Sequence, residues 1–327
     1  MPTFDGFLFR DSTRDTGTVP SPGYPYYSPD IIGHAQVADP ATFFTGNYAS
    51  DPNQPIQHGS AVNYVYVRAK NLSGTTKNGY YVTVYRSNPS LFMNTNVWKN
   101  DPLKTQDGKA FVSLPTTATD QVAVGTAPFL LDATTSNRFC VIGMVTPTST
   151  PGIPAPFTTY DAYITWQRTN QNICGRNLHL AYDFPTRNYE QLDEFSNPET
   201  VAVPSLFQVT IHGTLPANST FGLTCVPLGL STSWNVNAGN VQTASAMTPA
   251  SFNGNVTTWA TLSGGTWPSD TWIETIVYVG VSETAESSIY AEQEWAQLGG
   301  RVPETLDAGR PRLVRVGNCA TRFVSSR

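Results

Sequence analysis

Residues 62–68 read Val62-Asn63-Tyr64-Val65-Tyr66-Val67-Arg68. Successive side chains of a strand point to opposite faces, so Val65 and Val67 share one face and Tyr64 and Tyr66 the other. Similar β-branched and aromatic runs return at residues 80–85, 139–145, 160–166, 178–182, 206–211, 221–226, 256–262, 272–281, 313–316 and 322–324. Most are bounded by Gly, Pro, Asn, Asp or Ser. Many short strands separated by turn signals specify antiparallel sandwiches or barrels. The expected fold class is all-β: two tandem antiparallel β-sandwiches with at most one short helix. That helix is placed at residues 282–298, where Ala291, Trp295 and Leu298 fall at helical spacing before Gly299-Gly300. A twisted edge strand is the alternative there.

The composition of the 327 residues agrees. Charged residues are 13% and aromatics 12%, with 25 Gly and 25 Pro. Disordered chains are rich in charge and poor in aromatics, and helical bundles are rich in Ala, Glu, Lys and Leu. The length allows two domains with a core each. The Pro-containing acidic stretch at 185–204 reads as their connection. The expected order is an N-terminal arm (1–27), a first sandwich (28–184), the connection (185–204), a second sandwich (205–300) and a basic C-terminal segment (301–327). That last segment is expected to dock as strands on the second domain.

Ser28-Pro29-Asp30-Ile31 precedes Asn63-Tyr64-Val65-Tyr66-Val67-Arg68-Ala69-Lys70-Asn71 by about thirty residues. Later come Val82 to Ser90 (VTVYRSNPS) and Asn172-Ile173-Cys174-Gly175-Arg176-Asn177. With these four stretches, Ser28 to Tyr182 resembles the bacterial Ig-like, CARDB-type β-sandwich modules. The resemblance implies an Ig-like first domain that acts as a spacer, adhesion unit or partner-binding domain. Cys174 stands where the resemblance leads one to expect Ala, and the Pro-rich loop 146–157 is longer than usual.

Charge is unevenly distributed. All five Lys lie between Lys70 and Lys109, and between Thr186 and Arg301 only Arg187 is basic. Arg310, Arg312 and Arg315 then belong to a basic tail that suits docking on acidic surface, its own or a neighbour's. The formal net charge of -5 does not favour nucleic acid. No apolar run reaches the roughly 18–20 residues of a membrane helix. The N-terminus lacks a signal-peptide pattern, so synthesis as a cytoplasmic protein is expected, with export by a leaderless route still open. The four cysteines have long spacings and no CxxC, and they read as small buried hydrophobes. A Cys225–Cys319 disulfide is the alternative.

The residues offer little catalytic chemistry. His34, His58, His179 and His212 form no local metal-ligand pair, and no metal or cofactor is expected. Gly229-Leu230-Ser231-Thr232-Ser233 fails the nucleophile-elbow pattern at its last position, and Gly108-Lys109-Ala110 lacks the Ser or Thr of a P-loop. Trp267 and Asp270, in the loop Gly264 to Asp270, and Trp234 are the candidate binding residues, as platforms for a sugar or anchors for a partner. The alternative is that each Trp folds back as a lid on the core. The leading expectation is a non-catalytic binding or assembly protein with a protein partner or self-association, in the setting of a bacterial assembly or toxin-associated system. Behind it stand a carbohydrate-binding protein or glycan-active enzyme that uses the loop Trp residues, and a virion-type shell or decoration protein.

Overall fold

The computed structural model describes residues 2–57, 59, 62–134, 139–178, 180–182, 186–269, 271–281, 291 and 312–323. Two compact units emerge. The first comprises Met1–Asn88, Thr95–Pro156 and Thr165–Leu180. The second comprises Pro89–Asn94, Phe157–Ile164 and Ala181–Arg327. Each is a β-sandwich, so the fold is all-β.

In chain order the first unit holds β1 (Phe7–Leu8), β2 (Ile31–His34), β3 (Ile56–Gln57), β4 (Asn63–Asn71), β5 (Tyr81–Ser87), β6 (Lys104–Thr105), β7 (Val112–Ser113), β8 (Val122–Val124), β9 (Phe129–Leu131), β10 (Phe139–Thr146) and β11 (Ile173–Leu178). One sheet is built around β4, which pairs with β1, β2, β8 and β9, and β6 follows β9. The other runs β11-β10-β5-β7. Val65 and Val67 of β4 enter a core shared with Val82 and Val84 of β5 and Val141 of β10. The opposite face of β4 is also covered. Tyr66 packs at 4.8 Å on Phe44 of helix α1 (Pro40–Gly46). Asp39 caps that helix by accepting from the Thr42 N–H at 3.1 Å, and Pro40 stands at its start.

From β12 (Leu180–Tyr182) onward the strands build the second unit: β13 (Asn188–Ser196), β14 (Val203–His212), β15 (Thr220–Cys225), β16 (Leu230–Ser231), β17 (Trp234–Asn235), β18 (Val241–Thr248), β19 (Asn253–Thr261), β20 (Trp272–Gly280) and β21 (Leu313–Phe323). One sheet contains the run β18-β14-β20-β21-β12, in which only the β12–β21 pair is parallel. The other runs β13-β19-β15-β16, with β17 also on β15. Phe195 and Phe207 meet between the sheets at 5.3 Å, and the Thr258 and Thr275 hydroxyls hydrogen-bond at 2.5 Å.

Several sequence expectations change. Residues 160–166 are not a strand: helix α2 spans Tyr160–Thr169. Thr159 Oγ1 accepts from the Ala162 N–H and Glu199 Oε1 from the Tyr160 N–H, satisfying orphan donors of the first turn. Tyr160 and Tyr163, one helical turn apart, both pack on Phe92. With α1, the described residues hold two α-helices rather than at most one. The expected helix at 282–298 falls, apart from Ala291, outside the described residues.

The N-terminal arm is no arm. Phe7, Leu8 and Phe9 are buried, and β1 pairs with β4. The 185–204 connection is largely β13 and the start of β14. Tyr189, Gln191, Asp193 and Phe195 face inward while Glu190, Leu192 and Glu194 face out. Polar residues on the inward face disguised this alternation. The second unit also recruits Pro89–Asn94, where the Leu91 N–H donates to the Glu194 carbonyl at 2.8 Å. Gly317 permits this, because a Cβ there would strike the Leu91 carbonyl. The C-terminal segment supplies β21, which lies between β20 and β12.

Candidate functional site

A groove of about 470 Å³ opens in the second unit. That volume falls in the range of about 300–1,000 Å³ usual for small-ligand sites. Val201, Val203 and Val281 give it an apolar lining, and Asp161, Glu199 and Arg312 bring charge to it. Val201 is 61% exposed, a large apolar side chain offered to solvent. The start of α2 forms one wall, where Glu199 is held by its bond from the Tyr160 N–H at 2.8 Å. The Val281 N–H donates to the Arg312 carbonyl at 2.9 Å, which ties the ends of β20 and β21 together beside the groove. Thr159 brings the hydroxyl of the described lining, and that hydroxyl serves as the helix cap. The chemistry on offer is recognition of an apolar group flanked by charge.

The residues singled out from sequence are dispersed. Trp267 is 3% exposed. Its ring stacks on Phe323 at 4.0 Å and 15°, and its Nε1–H donates to the Thr186 carbonyl at 2.9 Å. It is a lid on the core, not a platform for a sugar, because so large a ring gains more from burial than a loop position suggests. Trp234 is half-buried on β17, with its ring 5.6 Å from Phe221. Asp270 and Arg310 lie outside the described residues. Arg312 lines the groove, whereas Arg315 is buried on β21. Glu199, Asp161 and Val201 were not singled out. Only the tertiary fold brings residues 161, 201 and 312 to one place.

Arg315 instead joins a polar cluster. Glu274 of β20 accepts from Arg315 Nη2 at 3.1 Å and from Asn318 Nδ2 at 2.7 Å on Oε1, and its Oε2 stands 3.0 Å from His212 Nε2. The His212 ring stacks on Trp272 at 4.4 Å and 12°. So the strand-end histidine has a carboxylate partner one strand away. His58 and His179 lie outside the described residues. Among the described residues no group of three or more His, Cys, Asp or Glu could hold a metal ion. All four cysteines are free and buried, so Cys225 and Cys319 do not pair. Burial pushes the Cys174 thiol pKa well up, with Asp11 adding to the effect. No described helix is long and apolar enough to cross a membrane.

In the first unit Asp30 is clamped by two arginines. Arg10 Nη2 and Arg68 Nε meet its Oδ1 at 2.6 and 2.9 Å, and the Arg10 backbone N–H and Nε reach Oδ2 at 3.0 and 2.9 Å. Arg68 spends its four remaining N–H donors on the carbonyls of Phe44, Asn47, Pro29 and Ser50. Arg176 completes the assembly by donating to the Ser28 carbonyl and bidentately to Asp51. These charges hold the fold together.

No protein-family profile and no characterised sequence matches the chain. Among solved structures it is similar to red sea bream transglutaminase at 11% identity and a TM-score of 0.21, over 84% of this chain. The chain spans only 30% of that enzyme's length. A mutant of the CFA/I adhesin CfaE of enterotoxigenic E. coli gives 6% identity and a TM-score of 0.23 over 93% of this chain and 89% of that one. The calcium binding domain CBD12 of CALX1.1 gives 8% and 0.19 over 81% and 95%. Likenesses this distant carry no argument about what the chain does.

Proposed function

We propose that the chain is a non-catalytic binding or assembly protein. The observation that carries this reading is the second-unit groove, with its apolar lining, its two carboxylates and its one guanidinium. Its occupant is a segment of a protein partner that combines apolar and basic side chains. The charge around the groove agrees. The second unit's sequence holds 14 Asp and Glu against 7 Lys and Arg, while the first holds 10 against 12. A second copy of the chain therefore offers the complementary surface, and such a contact is heterologous, of the kind that builds rings or filaments. The convergence of Ser28, Asp30, Arg68 and Arg176 in one buried network supports reading the first unit as an Ig-like, CARDB-type module.

Sedimentation of the full chain at low and high salt tests the proposal. Self-association is expected at low salt, weakened as salt screens the charges and lost in Val201→Asp. A monomer at every concentration and salt, or association untouched by Val201→Asp, overturns the self-assembly reading.

A further inference from the structure

We infer that the outer face of the β13-β19-β15 sheet is a binding surface for a neutral oligosaccharide, with Trp259 as its platform. This surface shares no residue with the groove and is independent of the proposed function.

Register builds the face. Glu190 of β13, Trp259 of β19 and Gly222 of β15 stand side by side across the three strands, and Leu192, Thr257 and Thr224 form the next row. Residues directly opposite one another share a face. In β13 and β19 this face is turned to solvent, with Glu190, Leu192, Glu194 and Asn255 exposed.

Gly222 fixes the ring. A Cβ there would collide with Cε2 and Cζ2 of Trp259, so the indole lies over the glycine of the neighbouring strand. One side of the ring rests on the sheet, and the residue is only half-buried. The result is a flat platform held in place. A sugar ring carries C–H groups on its faces and hydroxyls round its rim, and the C–H face suits the electron-rich face of an indole.

Hydrogen bonding makes the second argument. Among the described residues no protein group bonds to the Trp259 N–H or to the side chains of Glu190, Asn255, Thr257 and Thr224. Trp267, in contrast, gives its N–H to the Thr186 carbonyl. Threonine hydroxyls and the asparagine amide both donate and accept, so they match the rim hydroxyls of a sugar in either role. The outward row from Asn255 to Thr261 runs about 20 Å, at about 3.4 Å per residue, which is room for more than one sugar ring.

Charge decides the class. β13, β15 and β19 contain no Lys or Arg, and Arg187 precedes β13 at one end of the face. Glu190 and Glu194 therefore set the local potential, which turns away sulfated and sialylated sugars, nucleic acid and anionic lipid. A basic protein segment would satisfy the carboxylates, but the anchors of protein interfaces seat in pockets. Threonines in rows on a sheet offer a flat surface instead.

The test presents the full chain to an array carrying cellohexaose, xylohexaose, mannohexaose and chitohexaose, with sialylated and sulfated glycans as controls. Retention of at least one neutral glycan and of no anionic one is expected. Titration of the retained glycan, followed by tryptophan fluorescence, then compares variants. Trp259→Ala should lower its affinity by about tenfold or more. Thr257→Val keeps the shape and removes the hydroxyl, and it should weaken binding several-fold with the urea midpoint unchanged. Val201→Asp should leave glycan binding intact, so failure of self-association and failure of this inference are read apart. No neutral glycan retained by the folded chain overturns the inference, as does binding that both Trp259→Ala and Thr257→Val leave untouched. Retention of a polylysine peptide that depends on Trp259, with no glycan bound, assigns the face to a basic protein segment and overturns the sugar assignment.

Discussion

Asp30 and Arg68 stand 38 residues apart in sequence and meet at 2.9 Å with both side chains fully buried. One comes from Ser28-Pro29-Asp30-Ile31, the other from the valine-tyrosine strand β4. All five N–H donors of Arg68 are filled, three of them by carbonyls at and just beyond the end of α1. An arginine carries five donors and no acceptor, so this is complete satisfaction.

Removing one partner of such a pair should therefore be costly. Asp30→Asn leaves Arg10 and Arg68 buried without their carboxylate, and a loss of about 3–5 kcal/mol is expected. Arg68→Lys keeps the charge but has three donors for five acceptor contacts, so it should not rescue the fold. Urea unfolding monitored by tryptophan fluorescence measures both.

Asp11 gives a pH signature. Burial, with Asp15 beside it, raises its pKa from the ordinary 3.8 to about 6. The folded state therefore holds this proton where the unfolded chain has lost it. Stability contributed here is fully present below about pH 4 and declines as pH rises through about 6. Asp11→Asn should remove that decline and be the more stable form at pH 8, by at most about 3 kcal/mol. The difference in unfolding free energy between the two proteins, followed from pH 4 to pH 8 in choline salt, checks the sign.

Trp267 should behave as core. Trp267→Ala removes its stack on Phe323 and its bond to the Thr186 carbonyl, and a destabilisation of about 3–5 kcal/mol is expected. A substitution with wild-type stability that abolishes binding to a glycan array would contradict this placement.

Glu274 ties His212, Arg315 and Asn318 to one carboxylate. Glu274→Ala removes the carboxylate that accepts from the buried Arg315 guanidinium and from Asn318, and it should cost about 3–5 kcal/mol. His212→Phe keeps the stack on Trp272 and should cost much less. Thermal unfolding of both variants separates the two contributions.

The thiols should be silent in the native state. All four are buried and free, so Ellman's reagent should titrate four only after unfolding, and a reducing agent should leave Tm unchanged. A thiol count below four in unfolded, unreduced protein would revive the Cys225–Cys319 pairing.

The all-β character was legible because alternation is a local property. Val65, Val67, Tyr64 and Tyr66 announce a strand without reference to anything else. The same locality misled at residues 160–166. There Tyr160 and Tyr163 read as strand residues, but the Glu199 carboxylate and Phe92 make the helix the better state. The polar inward face of β13 hid a strand for the related reason that Asp193 and Gln191 are buried by neighbours the sequence does not name.

What the sequence by itself determined is the all-β class, most of the long strands and the uneven placement of charge along the chain. Only the tertiary structure decided which charges meet: Asp30 with Arg68, Glu274 with Arg315, and Asp161 and Glu199 in one groove with Arg312. The physical reason is register. A strand's alternation is set by its own residues, but its partners are set by how sheets align over distances of tens of residues, and a shift of one residue would turn Arg68, Glu274 or Arg315 to the opposite face of its sheet.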